Sequence, residues 1–153
     1  MGKAIIVYES KYGNTRRVAE AIAEGMGAVS GTEAVLCELK EVDREGLKDF
    51  DAVVVGSPNH IGTATRSIRK FIDEMGKLGL EGKTVAVFDT YIRGDFEKAV
   101  KKMEKSVREK VGGVKLPVPG LSIRVDKMKG PVTEGEMPKA REFGEKVAGE
   151  IKT

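Results

Sequence analysis

The chain has 153 residues, 40% of them hydrophobic, and a formal net charge of +3 from 27 basic and 24 acidic side chains. That length suits a single domain over 1–153 with one sizeable core, and the absence of any run near the roughly 18 apolar residues of a membrane span, or of a signal core, points to a cytoplasmic protein with no membrane partner. The charge is too mild and too interspersed for a nucleic-acid surface, and the single cysteine, Cys37, precludes an internal disulfide.

The first apolar run, Ala4, Ile5, Ile6, Val7 and Tyr8, is short and largely β-branched, as expected of a strand covered on both faces. Val18, Ala19, Ile22, Ala23 and Met26 then recur at helical spacing. Between them lies Ser10-Lys11-Tyr12-Gly13-Asn14-Thr15. A loop ending at a helix N-terminus offers backbone N–H groups without intrahelical partners and a favourable dipole. The Ser10 and Thr15 hydroxyls and the Asn14 amide add donors suited to a phosphate dianion, although an ordinary N-capped turn recruits the same residue types.

A second strand is predicted over 34–39, where Cys37 reads as a small buried hydrophobe, followed by a short segment over 43–50 and a third strand over 52–55. The loop after it is Gly56-Ser57-Pro58-Asn59-His60-Ile61-Gly62. Ile68, Phe71, Ile72 and Met75 mark one face of the next helix, and a fourth strand is predicted over 84–88. Its following loop is Asp89-Thr90-Tyr91-Ile92-Arg93-Gly94-Asp95. A lysine-rich helix over 95–110 places Phe96, Ala99, Val100, Met103 and Val107 on its apolar face. Its charged face reads as a solvated surface or as a docking face for an acidic redox partner. A weaker fifth strand over 114–123 is broken by Pro117 and Pro119, and a last helix carries Ala140, Phe143, Val147, Ala148 and Ile151.

Five strands interleaved with helices predict an α/β fold, a doubly wound parallel sheet with helices on both faces. Ligands of such sheets sit at the carboxyl ends of strands beside a switch in strand order, which singles out the loops after strands one, three and four. The chain has no glutamine, and its two asparagines, Asn14 and Asn59, fall in two of those loops. Depletion of thermolabile amides with abundant Lys and Glu also suggests a thermophilic source.

Competing chemistries fail on specific residues. Gly82-Lys83-Thr84 imitates the end of a nucleotide P-loop, but Lys77 stands where its first glycine belongs and a strand follows rather than a helix. A phospho-receiver needs acidic residues where this chain has Ser10 and Ser57. A cysteine phosphatase needs an arginine where Asp43 stands, and His60 has no partner at metal spacing. No catalytic residue and no metal ligand is predicted.

The phosphate loop, the Gly-Ser-Pro loop, the Thr-Tyr and Gly loop and the closing Gly130-Pro131…Phe143-Gly144 segment occur in an order that resembles the flavodoxin family over nearly the whole chain. The chain looks most like the flavodoxin modules of flavodiiron proteins and the free-standing archaeal flavodoxin-like proteins. The resemblance implies a sheet of order 2-1-3-4-5 and bound flavin mononucleotide (FMN), with phosphate on the 10–15 loop and the isoalloxazine between the 57–62 and 89–95 loops. It further implies that backbone groups of the 57–62 loop hydrogen-bond the flavin N5, that Tyr91 stacks on or borders the ring, and that electrons pass to redox partner proteins. The chain itself would be a monomer or weak homodimer. Two departures stand out: there is no tryptophan to stack on the flavin, and the chain is basic where ordinary flavodoxins are acidic. A cation such as Arg93 about 6 Å from N1 would raise the potential on the order of 100 mV at an effective dielectric near 20. A flavin enzyme, such as an NAD(P)H:quinone reductase or a protoporphyrinogen oxidase, and a non-redox binding module are the alternatives.

Overall fold

The computed structural model describes residues 2–151, and the outermost positions of the 1–153 domain lie outside the described residues. Strands β1 (Gly2–Tyr8), β2 (Thr32–Glu38), β3 (Ala52–Pro58), β4 (Thr84–Tyr91) and β5 (Leu121–Arg124) form one sheet in the order β2-β1-β3-β4-β5. All four pairings are parallel. Helices α1 (Asn14–Gly27), α2 (Arg66–Met75), α3 (Lys98–Lys110) and α4 (Met137–Ile151) are divided between its faces. Ile5, Val53, Val55, Val85 and Val87 pack with Phe71 and Met75 of α2 and Met103 and Val107 of α3. The alternate residues Ala4, Ile6, Val54, Ala86 and Phe88 pack with Ile22 and Met26 of α1 and Phe143 and Val147 of α4. Burial on both faces is why these strands read as continuous apolar runs. The predicted doubly wound, five-stranded parallel sheet of order 2-1-3-4-5 is the observed one.

Several boundaries move. β2 begins two residues earlier than predicted and ends at Glu38, while Leu39 opens a 3-10 turn (Leu39–Glu41). Cys37 is half-buried rather than buried, because β2 lies at the sheet edge. β3 runs to Pro58 and β4 to Tyr91, since pairing continues through Ser57 with Asp89 and Pro58 with Thr90. Asp89, Thr90 and Tyr91 are therefore strand residues, not loop. β5 is confined to Leu121–Arg124, and the earlier part of the predicted strand contributes one bridge, Lys115 to Thr84, before the prolines. α3 begins at Lys98, so Phe96 lies outside it and is exposed instead of joining its apolar face.

Glycines set the distance between α1 and α4. A Cβ on Gly25 would lie 2.0 Å from the carbonyl oxygen of Arg141, and one on Gly144 would lie 2.1 Å from that of Ile22. The two helices thus touch backbone to backbone, and neither site can accept a methyl group unless the helices separate. Gly25→Ala or Gly144→Ala should destabilise the protein by about 2–3 kcal/mol in urea titrations. Gly149, on the same α4 but with nothing within 4 Å of its would-be Cβ, is the control: Gly149→Ala should stabilise by about 0.5–1 kcal/mol. Equal effects at the three positions would contradict the close-approach account.

Candidate functional site

The carboxyl ends of β1, β3, β4 and β5 open into a cleft of about 850 Å³, within the size range of small-molecule sites. Ser10, Lys11, Tyr12, Asn14 and Thr15 line it from the first loop, and Pro58, Asn59, His60 and Ile61 from the second. Thr90, Tyr91, Ile92, Arg93 and Asp95 line it from the third. Five of the predicted site residues do not. Gly13 shapes the loop backbone at φ 90°, Gly62 completes a turn, and Gly94 lies in the segment between Arg93 and Asp95. Ser57 and Asp89 are fully buried beneath the cleft floor. Conversely, Glu9, Thr65, Val125 and Met128 line the cleft without having been predicted. Val125 and Met128 belong to the chain after β5, a fourth strand end for which the same topological rule could have argued.

The first loop is built as a donor array. Ser10 Oγ accepts from the backbone N–H of Gly13 (3.0 Å) and of Arg16 (3.4 Å), which leaves its own proton free to donate. The amides of Asn14 and Thr15, at the first turn of α1, have no carbonyl four residues back within the helix. The Thr15 and Thr90 hydroxyls share a buried hydrogen bond of 2.9 Å, tying this loop to β4. Asn14 is also nearly buried, and Gly130 lies so close that a Cβ there would sit 2.5 Å from Asn14 Oδ1.

The second and third loops are joined by side chains. Asn59 N–H donates to the Thr90 carbonyl at 2.7 Å, and Asn59 Nδ2 donates to Asp95 Oδ2 at 2.7 Å. Lys98 Nζ lies 3.1 Å from the other Asp95 oxygen. The hydrogen bond from Lys98, and then that from Asn59, holds the Asp95 carboxyl below the usual carboxylate range. A carboxylate only accepts, so the Asn59 amide must turn Nδ2 toward it and present Oδ1 elsewhere. That Oδ1 is buried and has no partner in the protein. Since an unmade buried hydrogen bond costs about 1–3 kcal/mol, Asn59 Oδ1 is a polar atom that the protein itself leaves unsatisfied.

His60 and Thr63 exchange both backbone hydrogen bonds around a two-residue turn, at 2.7 and 3.3 Å. Ile61 and Gly62 at its tip have φ of 53° and 78°, the two positive values that a tight hairpin turn of this hand requires. Glycine suits such a position and a β-branched isoleucine does not. Arg93, in the third loop, is likewise held at φ 57°. Beneath them Thr65 caps α2 through Ile68 N–H (3.3 Å) and donates its hydroxyl proton to Glu9 Oε1 (2.5 Å). Ser57 Oγ accepts from Thr65 N–H at 3.0 Å. Tyr91 packs edge-to-face on Phe96, with ring centroids 5.5 Å apart.

Asp89, expected among the cofactor-binding residues, is buried and does not line the cleft. Alternation along β4 turns its carboxylate to the α2/α3 face, where Oδ1 accepts from Ser122 Oγ (2.6 Å) and Oδ2 from Val100 N–H (2.9 Å). It therefore anchors the start of α3. Burial pushes its carboxyl up to about 6, against the pull of those two hydrogen bonds.

A family model for the flavodoxin domain matches residues 5–121. The flavodoxin of Clostridium saccharobutylicum is 31% identical over 157 aligned positions, covering 98% of each chain. Among solved structures, a flavodoxin from the domain Archaea is 28% identical with a TM-score of 0.82 and covers 99% of both chains. The flavodiiron protein of Giardia intestinalis has a TM-score of 0.81 at 23% identity, over 97% of this chain and 36% of that one, which is a likeness of fold.

Two outcomes follow from the geometry. Because Asp89 ionises more easily in the unfolded chain (ordinary value 3.8) than in the folded one (about 6), wild-type stability should fall as pH rises from about 4 to about 6. The loss should approach about 3 kcal/mol. Asp89→Asn should remove that slope in denaturation curves taken across this range, and an unchanged slope would contradict the assignment. Ile61→Asn, placing a residue that tolerates positive φ at the turn tip, should raise the melting free energy by about 1 kcal/mol, whereas Ile61→Val should not.

Proposed function

The chain belongs to the flavodoxin family of FMN-binding electron-transfer proteins, and from that premise we propose how its residues divide the work of holding the flavin and presenting it to redox partners. The observation that carries the reading is the donor array of the first loop opening into one cleft that the second and third loops also line. The residues fit the cofactor. Ser10, Asn14, Thr15 and the backbone amides of the 10–15 loop would hold the phosphate, with Lys11 supplying positive charge nearby. Pro58 to Ile61 and Thr90 to Arg93 would border the isoalloxazine.

Bound FMN supplies one-electron and two-electron redox chemistry. The protein's part is to bind, orient and tune. Asp95 and Lys98 fix the Asn59 amide, Phe96 holds the Tyr91 ring, and Arg93 places a cation on the cleft. Redox partners would dock at the loop edge or on the lysine-rich face of α3. No described helix is long and apolar enough to cross a membrane, and no described cluster of His, Cys, Asp and Glu could hold a metal ion.

Apo-protein titrated with FMN should quench the flavin fluorescence at one equivalent per chain, and failure to bind would overturn the reading. Thr15→Ala should weaken FMN binding about 10- to 100-fold. Binding of riboflavin, which lacks the phosphate, should be unaffected. A parallel loss of riboflavin affinity would show that the loop acts on the ring or on the fold, not on the phosphate.

A further inference from the structure

We infer that the mouth of the cleft, with the N-terminal half of α3, is a docking surface for an acidic redox protein; this rests on the flavodoxin reading and specifies its partner. Five large hydrophobic side chains are exposed among the described residues, and four of them surround this mouth. Ile61 (91% exposed), Met128 (66%) and Tyr12 (40%) line the cleft, and Phe96 (56%) packs on Tyr91, which also lines it. Apolar side chains gathered around one opening mark an interaction site, unlike the same number scattered singly.

The charge around that apolar centre carries a positive surplus. Segments 9–12, 58–66, 92–102 and 125–134 carry eight basic and five acidic residues, a surplus equal to the +3 of the entire chain. The acidic groups are largely engaged: Glu9 by the Thr65 hydroxyl, Asp95 by Asn59 and Lys98, and Asp126 by the Thr133 hydroxyl. Lys102, Lys127 and Lys129 have no carboxylate within 4 Å among the described residues. A Cβ on Gly62 would lie 3.9 Å from Lys102 Nζ, so the charge of α3 reaches the Ile61 turn. Lys11 and Lys129 both stand over the Tyr12 ring, 5.4 and 5.9 Å from its centroid.

An apolar centre that excludes water inside a rim of unpaired cations attracts a negatively charged partner and repels a positive one. Rim charges act mostly on encounter, so the interaction should be strongly salt-dependent. A basic partner would have to bury its cations against these lysines.

The test uses 15N-labelled protein, FMN-loaded and apo, with two probes: an acidic plant-type [2Fe–2S] ferredoxin and basic horse-heart cytochrome c. At about 0.02 M salt the ferredoxin should shift the amides of Ile61, Arg93, Lys102 and Met128, and at about 0.5 M it should bind at least 10-fold more weakly. Cytochrome c should leave them in place. The variant carrying Lys102→Glu, Lys127→Glu and Lys129→Glu should lose the ferredoxin and gain cytochrome c, with its melting curve and FMN stoichiometry unchanged. Preference for cytochrome c, shifts confined to another face, no shifts with either probe, or a variant that binds ferredoxin as wild type does would each overturn the proposal. Equal displacement of the ferredoxin by a short DNA duplex would overturn it too, by exposing a general polyanion site. The two readings fail separately. FMN uptake without ferredoxin shifts removes only the docking surface, and ferredoxin shifts on a protein that takes up no FMN remove only the flavin assignment.

Discussion

The site depends first on the register between β3 and β4. Their parallel pairing continues past the apolar runs, through Gly56 with Phe88, Ser57 with Asp89 and Pro58 with Thr90. This is possible because Gly56 has no side chain: a Cβ there would lie 2.0 to 2.4 Å from atoms of the Phe88 ring. Phe88 lies across β3, and the two strands stay together for one more turn of the pleat. Were they to part at Val55, the loops bearing Asn59 and Arg93 would leave the sheet at different heights. Their shared hydrogen bonds, Asn59 N–H to the Thr90 carbonyl and Asn59 Nδ2 to Asp95, would not form.

Below that edge the polar residues hold loops and helices in place. Asp89 receives Ser122 and the start of α3, Ser57 receives the amide that begins the α2 cap, and Ser122 receives Glu97 N–H at 3.0 Å. Each is buried and satisfied, so each fixes an element that would otherwise be free to slide. The cost is visible at Asp89, where burial disfavours the charged form that the geometry requires. Two hydrogen bonds to one carboxylate offset part of that penalty and place α3, and with it Lys98, Asp95 and Asn59. The Asn59 amide at the cleft is thereby tied, through Asp95 and Lys98, to a carboxylate that does not line it.

Much of this was legible in the amino-acid sequence, and what was not has identifiable causes. The five strands and the three principal loops follow from alternating apolar runs and a donor-rich helix start, signals that survive because buried parallel strands and helix N-termini each tolerate few residue types. The strand order comes from the family resemblance. The extension of β3 and β4 was hidden, since Ser57, Pro58, Asp89 and Thr90 are residues of turns by composition and become strand only through their neighbours. Asp89 among loop glycines read as a ligand contact, but whether a strand residue faces cleft or core is decided by a one-residue register. Phe96 fitted the helical period of α3, yet the helix starts after it and the ring is taken by Tyr91. Val125 and Met128 sit in a stretch rich in Lys, Gly and Pro whose place at the cleft comes only from the sheet.

The two ends of the cleft are built on different terms. In the 10–15 loop the conformation is relaxed: its one positive φ belongs to Gly13, Ser10 Oγ accepts from two backbone amides, and the Thr15 and Thr90 hydroxyls bond each other. In the second and third loops Ile61 and Arg93 are held where side chains other than glycine are disfavoured, at a cost of order 1–3 kcal/mol each. Such conformations persist only where the surroundings impose them, and here the paired bonds of the His60–Thr63 hairpin and the strand bond from Val125 N–H to the Tyr91 carbonyl do so. On the proposed division, with the phosphate on the 10–15 loop, the opposite loops are free of the demand for affinity. Those loops hold strained backbone at Ile61 and Arg93, an unpaired amide oxygen at Asn59 and exposed apolar groups.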